Sequence, residues 1–124
     1  MGDESDEEIA FAWIDERKNY EDRKRTNSLW ALAALDSICA KDPARGLRII
    51  EGICSKDCSA PVIEVLAAGP MEELLVKHGP KIIEQVEEVA GRNPRFKELL
   101  GGVWQRETES GVWERVVAAR SRAW

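Results

Sequence analysis

The sequence has few of the side chains that most often bind metals or act as nucleophiles: one histidine, His78, and three cysteines among 124 residues. An odd number of cysteines in a chain long enough to form a core argues against a disulfide scaffold. Cys54 and Cys58 could form a local redox pair, or bind a metal together with Cys39 or His78. Zinc sites usually show a second paired motif, and the sequence has none. We therefore expect ordinary thiols, no bound metal and no cofactor.

Motifs of catalysis and nucleotide binding are also absent: there is no P-loop, no dinucleotide-binding glycine pattern, no G-x-S-x-G and no H-E-x-x-H. No basic stripe with interleaved aromatic residues occurs, which argues against a nucleic-acid partner. No apolar run approaches the ~20 residues of a membrane span. The start, MGDESDEE, lacks the basic and apolar regions of a secretory signal. The sequence predicts a cytoplasmic protein that is not an enzyme and does not bind membranes.

The net charge of −5 is confined to the first eight residues, because the remaining 18 acidic residues balance the 18 Lys and Arg. These carboxylates would favour the positive end of a first helix, or attract a basic partner. Ile9, Trp13 and Tyr20 share one stripe of that helix, from Glu7 to about Tyr20. We predict two parts: an acidic N-terminal arm with the first amphipathic helix (1–25), and a compact helical domain (26–124).

The chain has only five prolines, and each can be placed at the start of a helix, where its missing N–H and fixed φ are harmless. Asp42 and Asn93 precede two of them and can act as N-caps. Glycines precede two others, which predicts that one helix ends at Gly69 or Gly79 and the next begins at once. The predicted helix starts are Pro43, Pro61, Pro70, Pro80 and Pro94.

These short helical patterns predict an all-α fold: an irregular bundle of about seven or eight short antiparallel helices. A helix over Leu29–Lys41, with Trp30, is apolar nearly all round and should lie at the centre. HEAT-like stacking is compatible with the pattern. No motif recurs at a fixed period of 30 to 50 residues, however, so a regular repeat is not predicted.

Four motifs carry a resemblance to a known family: A-G-P-x-E-x-L-L at residues 68–75, H-G at 78–79, N-P-x-F at 93–96 and G-x-W at 102–104. In this combination the sequence resembles an uncharacterised family of small bacterial all-helical domains of unknown function. The resemblance covers roughly Leu29 to Trp113 and leaves the N-terminal arm outside. It implies a helical bacterial domain and no particular activity.

Tryptophan is the unusual abundance, with five residues against one tyrosine and two phenylalanines. Trp104 and Trp113 flank a polar loop, and Trp124 follows Arg120 and Arg122. Trp104 and Trp113 could clamp this loop onto the bundle, and Trp124 could fold back on the core. Alternatively they are exposed anchors, since tryptophan is enriched at binding hot spots. We take Trp104, Trp113 and Trp124 as candidate binding residues.

Glu72 and His78 complete the candidate binding residues. Glu72 would be the third residue of a helix capped by Gly69 and could reach back to that cap. His78 would lie in the last turn of the same helix, where the dipole favours positive charge. The alternative is a small metal-dependent hydrolase that uses Glu72, Glu73 and His78, which requires carboxylates from another helix to converge on them.

The sequence therefore favours a non-catalytic domain that binds another protein, in the manner of an immunity protein or inhibitor that neutralises a bacterial toxin or enzyme. The motivating features are the absent catalytic set, the acidic tip and the surplus tryptophans. Either a monomer or a homodimer is compatible with the sequence. A self-associating structural domain that uses Trp113 and Trp124 is the remaining alternative.

Overall fold

The computed structural model describes residues 4–19 and 29–124, which form helices with no β-strand among them. This confirms the predicted all-α class. The α-helices are α1 (Asp6–Lys18), α2 (Leu29–Lys41), α3 (Pro43–Lys56), α4 (Ala60–Leu66), α5 (Glu72–Arg92), α6 (Pro94–Leu99) and α7 (Ser110–Ala119). A π-helical turn (Ala67–Met71) joins α4 to α5, and a 3₁₀ turn (Leu100–Gly102) follows α6. Because α4, the π turn and α5 are continuous, the described residues form six separate helical segments, slightly fewer than predicted.

The two polar N-caps predicted before prolines are present. Asp42 Oδ1 accepts the backbone N–H of Arg45 at 3.2 Å, at the start of α3. Asn93 Oδ1 accepts the N–H groups of Arg95 and Phe96 at 3.1 and 3.3 Å, at the start of α6. Each cap satisfies backbone donors that the first helical turn leaves without a partner. Both helix starts are therefore fixed by local sequence.

The prediction that helices end at Gly69 and Gly79 and restart at Pro70 and Pro80 is wrong. Pro70 lies inside the π turn, and Pro80 lies inside α5. An interior proline costs about 3 kcal/mol, because it loses one hydrogen bond and its ring contacts the preceding turn. The apolar face of α5 is buried both before and after Pro80, so continuation of the helix offsets that cost. Pro80 itself is exposed.

The hydrophobic core receives side chains from all seven helices, and the first helix belongs to it. Trp13, with 2 % of its surface exposed, is one of the largest buried side chains, and α1 packs against α2, α3 and α4. Trp30 is only partly buried at the margin of the core, although the sequence placed it at the centre. Tyr20 and the predicted boundary at residues 25–26 lie outside the described residues.

The packing of α7 on α5 determines where the segment between α6 and α7 lies. Gly79 lets the two helices approach closely, since a Cβ atom at this position would stand 3.0 Å from Val112. Arg115 on α7 donates two hydrogen bonds to the carboxylate of Glu87 on α5. The intervening residues consequently cross the start of α5. No helix in residues 4–19 and 29–124 has the length and apolar character needed to span a bilayer.

Candidate functional site

A buried carboxylate holds residues 103–109, which we call the tryptophan loop. Glu72 is the first residue of α5, and only 5 % of its surface is exposed. Its Oε2 atom accepts the backbone N–H of Trp104 at 3.0 Å. The predicted cap between Glu72 and residue 69 is wrong, because the helical backbone continues through that residue and no helix starts there. The carboxylate therefore faces the loop and binds its backbone.

Arg106 makes a second connection between the tryptophan loop and α5. Its Nη1 atom donates to Glu73 Oε1 at 2.9 Å and lies 3.7 Å from Glu72 Oε1. Lys77 approaches the same Glu73 carboxylate at 3.2 Å. Hydrogen bonds from Arg106 and Lys77 hold the pKa of the Glu73 carboxyl below its usual value. The loop is thus tied to two adjacent carboxylates, one buried and one half-buried.

The backbone of the tryptophan loop is fixed in a conformation that few residues adopt. Arg106 has a φ of 49°, and it is the one described residue other than glycine with a positive φ. Such a conformation persists only when surrounding contacts determine it. Besides the bonds to α5, the N–H of Thr108 donates to the carbonyl of Gln105 at 2.9 Å, and Thr108 is buried. The loop is consequently a rigid support for the side chain of Trp104.

Trp104 itself projects from this support. Its surface is 75 % exposed, the largest fraction among the large hydrophobic side chains that the structure describes. The sequence left two alternatives for Trp104, a clamp on the loop or an exposed anchor, and this exposure favours the anchor. The backbone N–H of Trp104 is bonded to Glu72, whereas its indole ring is exposed to solvent.

Trp124 packs on the 3₁₀ turn that precedes the tryptophan loop. Its backbone N–H donates to the carbonyl of Gly101 at 3.0 Å, and its Nε1 donates to the carbonyl of Glu98 at 2.9 Å. More than half of its surface, 54 %, stays exposed. Trp104 is two residues beyond Gly102 along the chain, so the two exposed tryptophans belong to neighbouring segments. We call Trp104, Trp124 and the 3₁₀ turn the indole surface.

Replacing Gly102 by alanine should displace Trp124 from the turn, because the new Cβ would lie 2.3 Å from Cζ3 of the indole ring. We expect a loss of about 1–3 kcal/mol of unfolding free energy, typical of overpacking. The indole N–H resonance of Trp124 should move toward its solvent-exposed position in NMR spectra. Gly52→Ala is the matched control, since nothing lies within 4 Å of its added Cβ. An unmoved Trp124 resonance in Gly102→Ala would contradict the packing described.

Trp113 follows the tryptophan loop, and its backbone N–H donates to the carbonyl of Glu109, the last loop residue, at 2.8 Å. It lies on α7, is partly buried against the core, and its ring faces the Arg120 guanidinium at 5.8 Å from the ring centroid. A cation over an aromatic face is attracted by the ring electrons. The ring of Trp113 thus contacts Arg120 at the end of α7, and the clamp on the loop stays a prediction.

His78 lines a cleft of about 230 Å³ between α2 and the start of α5, together with Asp36, Glu73 and Lys77. The prediction that His78 ends a helix is wrong, because α5 continues for fourteen residues beyond it, to Arg92. Glu73 and His78 line this cleft with Asp36 of α2, whereas the hydrolase alternative required Glu72 to converge with them and with carboxylates of another helix. Glu72 is not among the lining residues and faces the tryptophan loop.

None of the three thiols forms a disulfide bond. Cys39 and Cys54 are buried, burial raises the pKa of each to about 12, and Cys58 is exposed and free. Over residues 4–19 and 29–124, no group of three His, Cys, Asp or Glu side chains converges in a way that could hold a metal ion.

Two residues of this region, Arg106 and Asp36, were missed by sequence reasoning. Asp36 had a recognisable signal, since it is the one acidic residue in the apolar helix α2. A lone carboxylate there must leave the core or face a polar cleft. Arg106 had no such signal, because nothing in the sequence places it opposite residues 72 and 73, more than thirty positions away.

The chain matches the model of a protein family over residues 4–124. The match includes α1, so the first helix, which the resemblance left outside, is part of the family domain. No curated protein and no solved structure matches the chain. The chain therefore belongs to the family of unknown function DUF6869.

Proposed function

We propose that this protein is a non-catalytic domain that binds another protein through the indole surface. The observation that carries the proposal is Trp104, which is 75 % exposed on a loop whose backbone is bonded to the buried Glu72. An apolar ring of this size in water is unfavourable, and tryptophan is among the residues most enriched at binding hot spots.

The rigidity of the tryptophan loop also supports a binding role. A side chain presented on a fixed backbone loses less conformational entropy on association than one on a mobile loop. The left-handed backbone conformation of Arg106 does not stabilise the fold, since a glycine at this position would adopt it without strain. The conformation directs the loop so that Trp104 lies beside the carboxylates of Glu72 and Glu73.

The shape of the surface favours a protein over a small molecule as the partner. Neither Trp104 nor Trp124 is among the residues that line the cleft at His78. Protein interfaces are broad, about 800 Å² on each side, and need no deep pocket on both partners. We propose an occupant with an apolar recess that receives the indole of Trp104. In the finer form of the proposal, the partner is a toxin or enzyme that the domain neutralises in the bacterial cytoplasm.

The test begins by identifying a partner with a photo-reactive residue placed beside the indole surface, at the exposed Glu107. The same residue at Glu64, exposed on α4, is the control for non-specific capture. The partner captured from position 107 and not from position 64 is then purified for quantitative binding measurements.

Trp104→Ala should weaken binding of that purified partner at least 30-fold, which corresponds to about 2 kcal/mol. The matched control is Phe11→Ala, since Phe11 is 57 % exposed on α1, outside the tryptophan loop, and we expect less than a 3-fold change. Equal affinities of the Trp104→Ala and unaltered proteins would refute the proposal. If the captured partner is a second copy of the chain, and Trp113→Ala or Trp124→Ala converts a dimer to a monomer, the self-associating alternative replaces it.

A further inference from the structure

We infer that the cleft between α2 and the start of α5 binds a positively charged alkylammonium group, with its nitrogen at Asp36 and its carbon chain along the apolar wall. This site is separate from the indole surface and does not depend on the proposed function. Its volume, about 230 Å³, is that of roughly seven or eight water molecules in the liquid. A short alkyl chain with one charged end is of matching size.

Two walls of different origin form the cleft. On one side, Asp36 and Ala40 lie one turn apart on α2, with Cys39 beside them. On the other side, the π turn contributes Pro70, and α5 contributes a strip of residues. A π turn within a helix is uncommon and frequently occurs at functional sites. The strip from α5 comprises Glu73, Leu74, Lys77 and His78.

Asp36 is an exposed residue of the cleft, and within the described parts of the chain its carboxylate accepts no hydrogen bond and forms no ion pair. Glu73, the other carboxylate of the cleft, is already bonded to Arg106 and Lys77. Partial burial and the negative charge of Glu73 raise the pKa of Asp36, and the positive charge of Lys77 partly offsets them. A cation at Asp36 would relieve this repulsion, whereas an anion would add to it.

The uncharged wall of the cleft favours a cation that carries an alkyl chain. The side chains of Ala40, Pro70 and Leu74 are apolar, and the Cys39 thiol stays neutral because its pKa is about 12. Methylene groups of a ligand can pack on this wall, while the charged nitrogen donates to Asp36. A divalent metal ion would need several oxygen ligands, and Asp36 has no second free carboxylate beside it.

NMR titration with n-butylammonium chloride at constant ionic strength tests the inference. We expect saturable shifts of the backbone amides of Asp36, Cys39, Lys77 and His78. The neutral analogue 1-butanol should bind at least 10-fold more weakly. Absence of saturable shifts, or equal binding of 1-butanol, would overturn the inference.

Matched variants separate the cleft from general charge effects. Asp36→Asn should weaken n-butylammonium binding at least 10-fold and keep the fold, because Asp36 is at the surface and forms no ion pair with the described residues. Glu64→Gln removes an exposed carboxylate elsewhere and should leave binding unchanged. Binding that survives Asp36→Asn, or that falls equally in both variants, would show that the cleft is not the site.

The same titration distinguishes two sources of the ammonium group. A lysine blocked as Nα-acetyl-lysine methylamide represents a lysine side chain of another protein, and n-butylammonium represents a free amine. Comparable binding of both supports a protein lysine as the occupant. Binding of n-butylammonium with at least 10-fold weaker binding of the blocked lysine supports a free amine.

Discussion

Trp13→Ala is expected to lower the free energy of unfolding by about 3–5 kcal/mol, the range for removing a large aromatic side chain from a core. Trp13 is 2 % exposed and lies in the same core as the side chains of α2 to α7. The ion pairs of Asp6 with Arg45 and of Glu7 with Lys56 on α3 do not offset this loss, because ion pairs near the surface contribute little to stability. Urea unfolding followed by circular dichroism measures the change.

Phe11→Ala is the control, since Phe11 occupies the same helix and is 57 % exposed. The Lys56 Nζ atom lies 5.2 Å from the centroid of the Phe11 ring. Because this exposed cation–π contact is weak, we expect Phe11→Ala to lower the free energy of unfolding by less than ~1 kcal/mol. If Trp13→Ala cost no more than Phe11→Ala, α1 would not be part of the cooperative fold. The division into an arm (1–25) and a domain (26–124) would then gain support, whereas the large expected loss favours one folding unit.

The behaviour of the five prolines shows where local sequence determines the fold and where it does not. Asp42 and Asn93 carry a capping oxygen, and the helices after them begin where predicted. Gly69 and Gly79 have no side-chain oxygen that could accept backbone N–H groups and so fix a helix start. At these two positions, burial of the long apolar face of α5 exceeds the local cost of Pro70 and Pro80. Packing energy of this kind is summed over distant contacts, so the dipeptides could not reveal it.

The candidate site was predictable in its residue types and not in its pairings. Tryptophan abundance pointed to Trp104 and Trp124, and both are exposed. Helix periodicity gave Glu72 a position on the first turn of a helix, but its partner, the N–H of Trp104, lies 32 residues away. Long-range pairing of this kind depends on how α5, α6 and α7 pack together. A single sequence contains no direct signal for it.

Glu72→Ala is expected to lower the free energy of unfolding by roughly 2–3 kcal/mol, the range for losing a hydrogen bond to a charged group. The substitution removes the acceptor of the Trp104 N–H and one of the two carboxylates near Arg106. Because Arg106 keeps its bond to Glu73, the tryptophan loop should loosen without unfolding the bundle. Backbone ¹⁵N relaxation of residues 103–109 should therefore show increased motion, while α5 and α7 remain rigid.

Glu72→Gln isolates the part played by charge. The amide keeps an oxygen that can accept the Trp104 N–H, so we expect about half the loss of Glu72→Ala. Glu64→Ala, an exposed glutamate of α4, should change stability by less than ~0.5 kcal/mol. If Glu72→Ala left the relaxation of residues 103–109 unaltered, the carboxylate would not be what fixes the loop. Rigidity would then have to come from Arg106 and Thr108 alone, and the double variant Glu72→Ala with Glu73→Ala would separate these contributions.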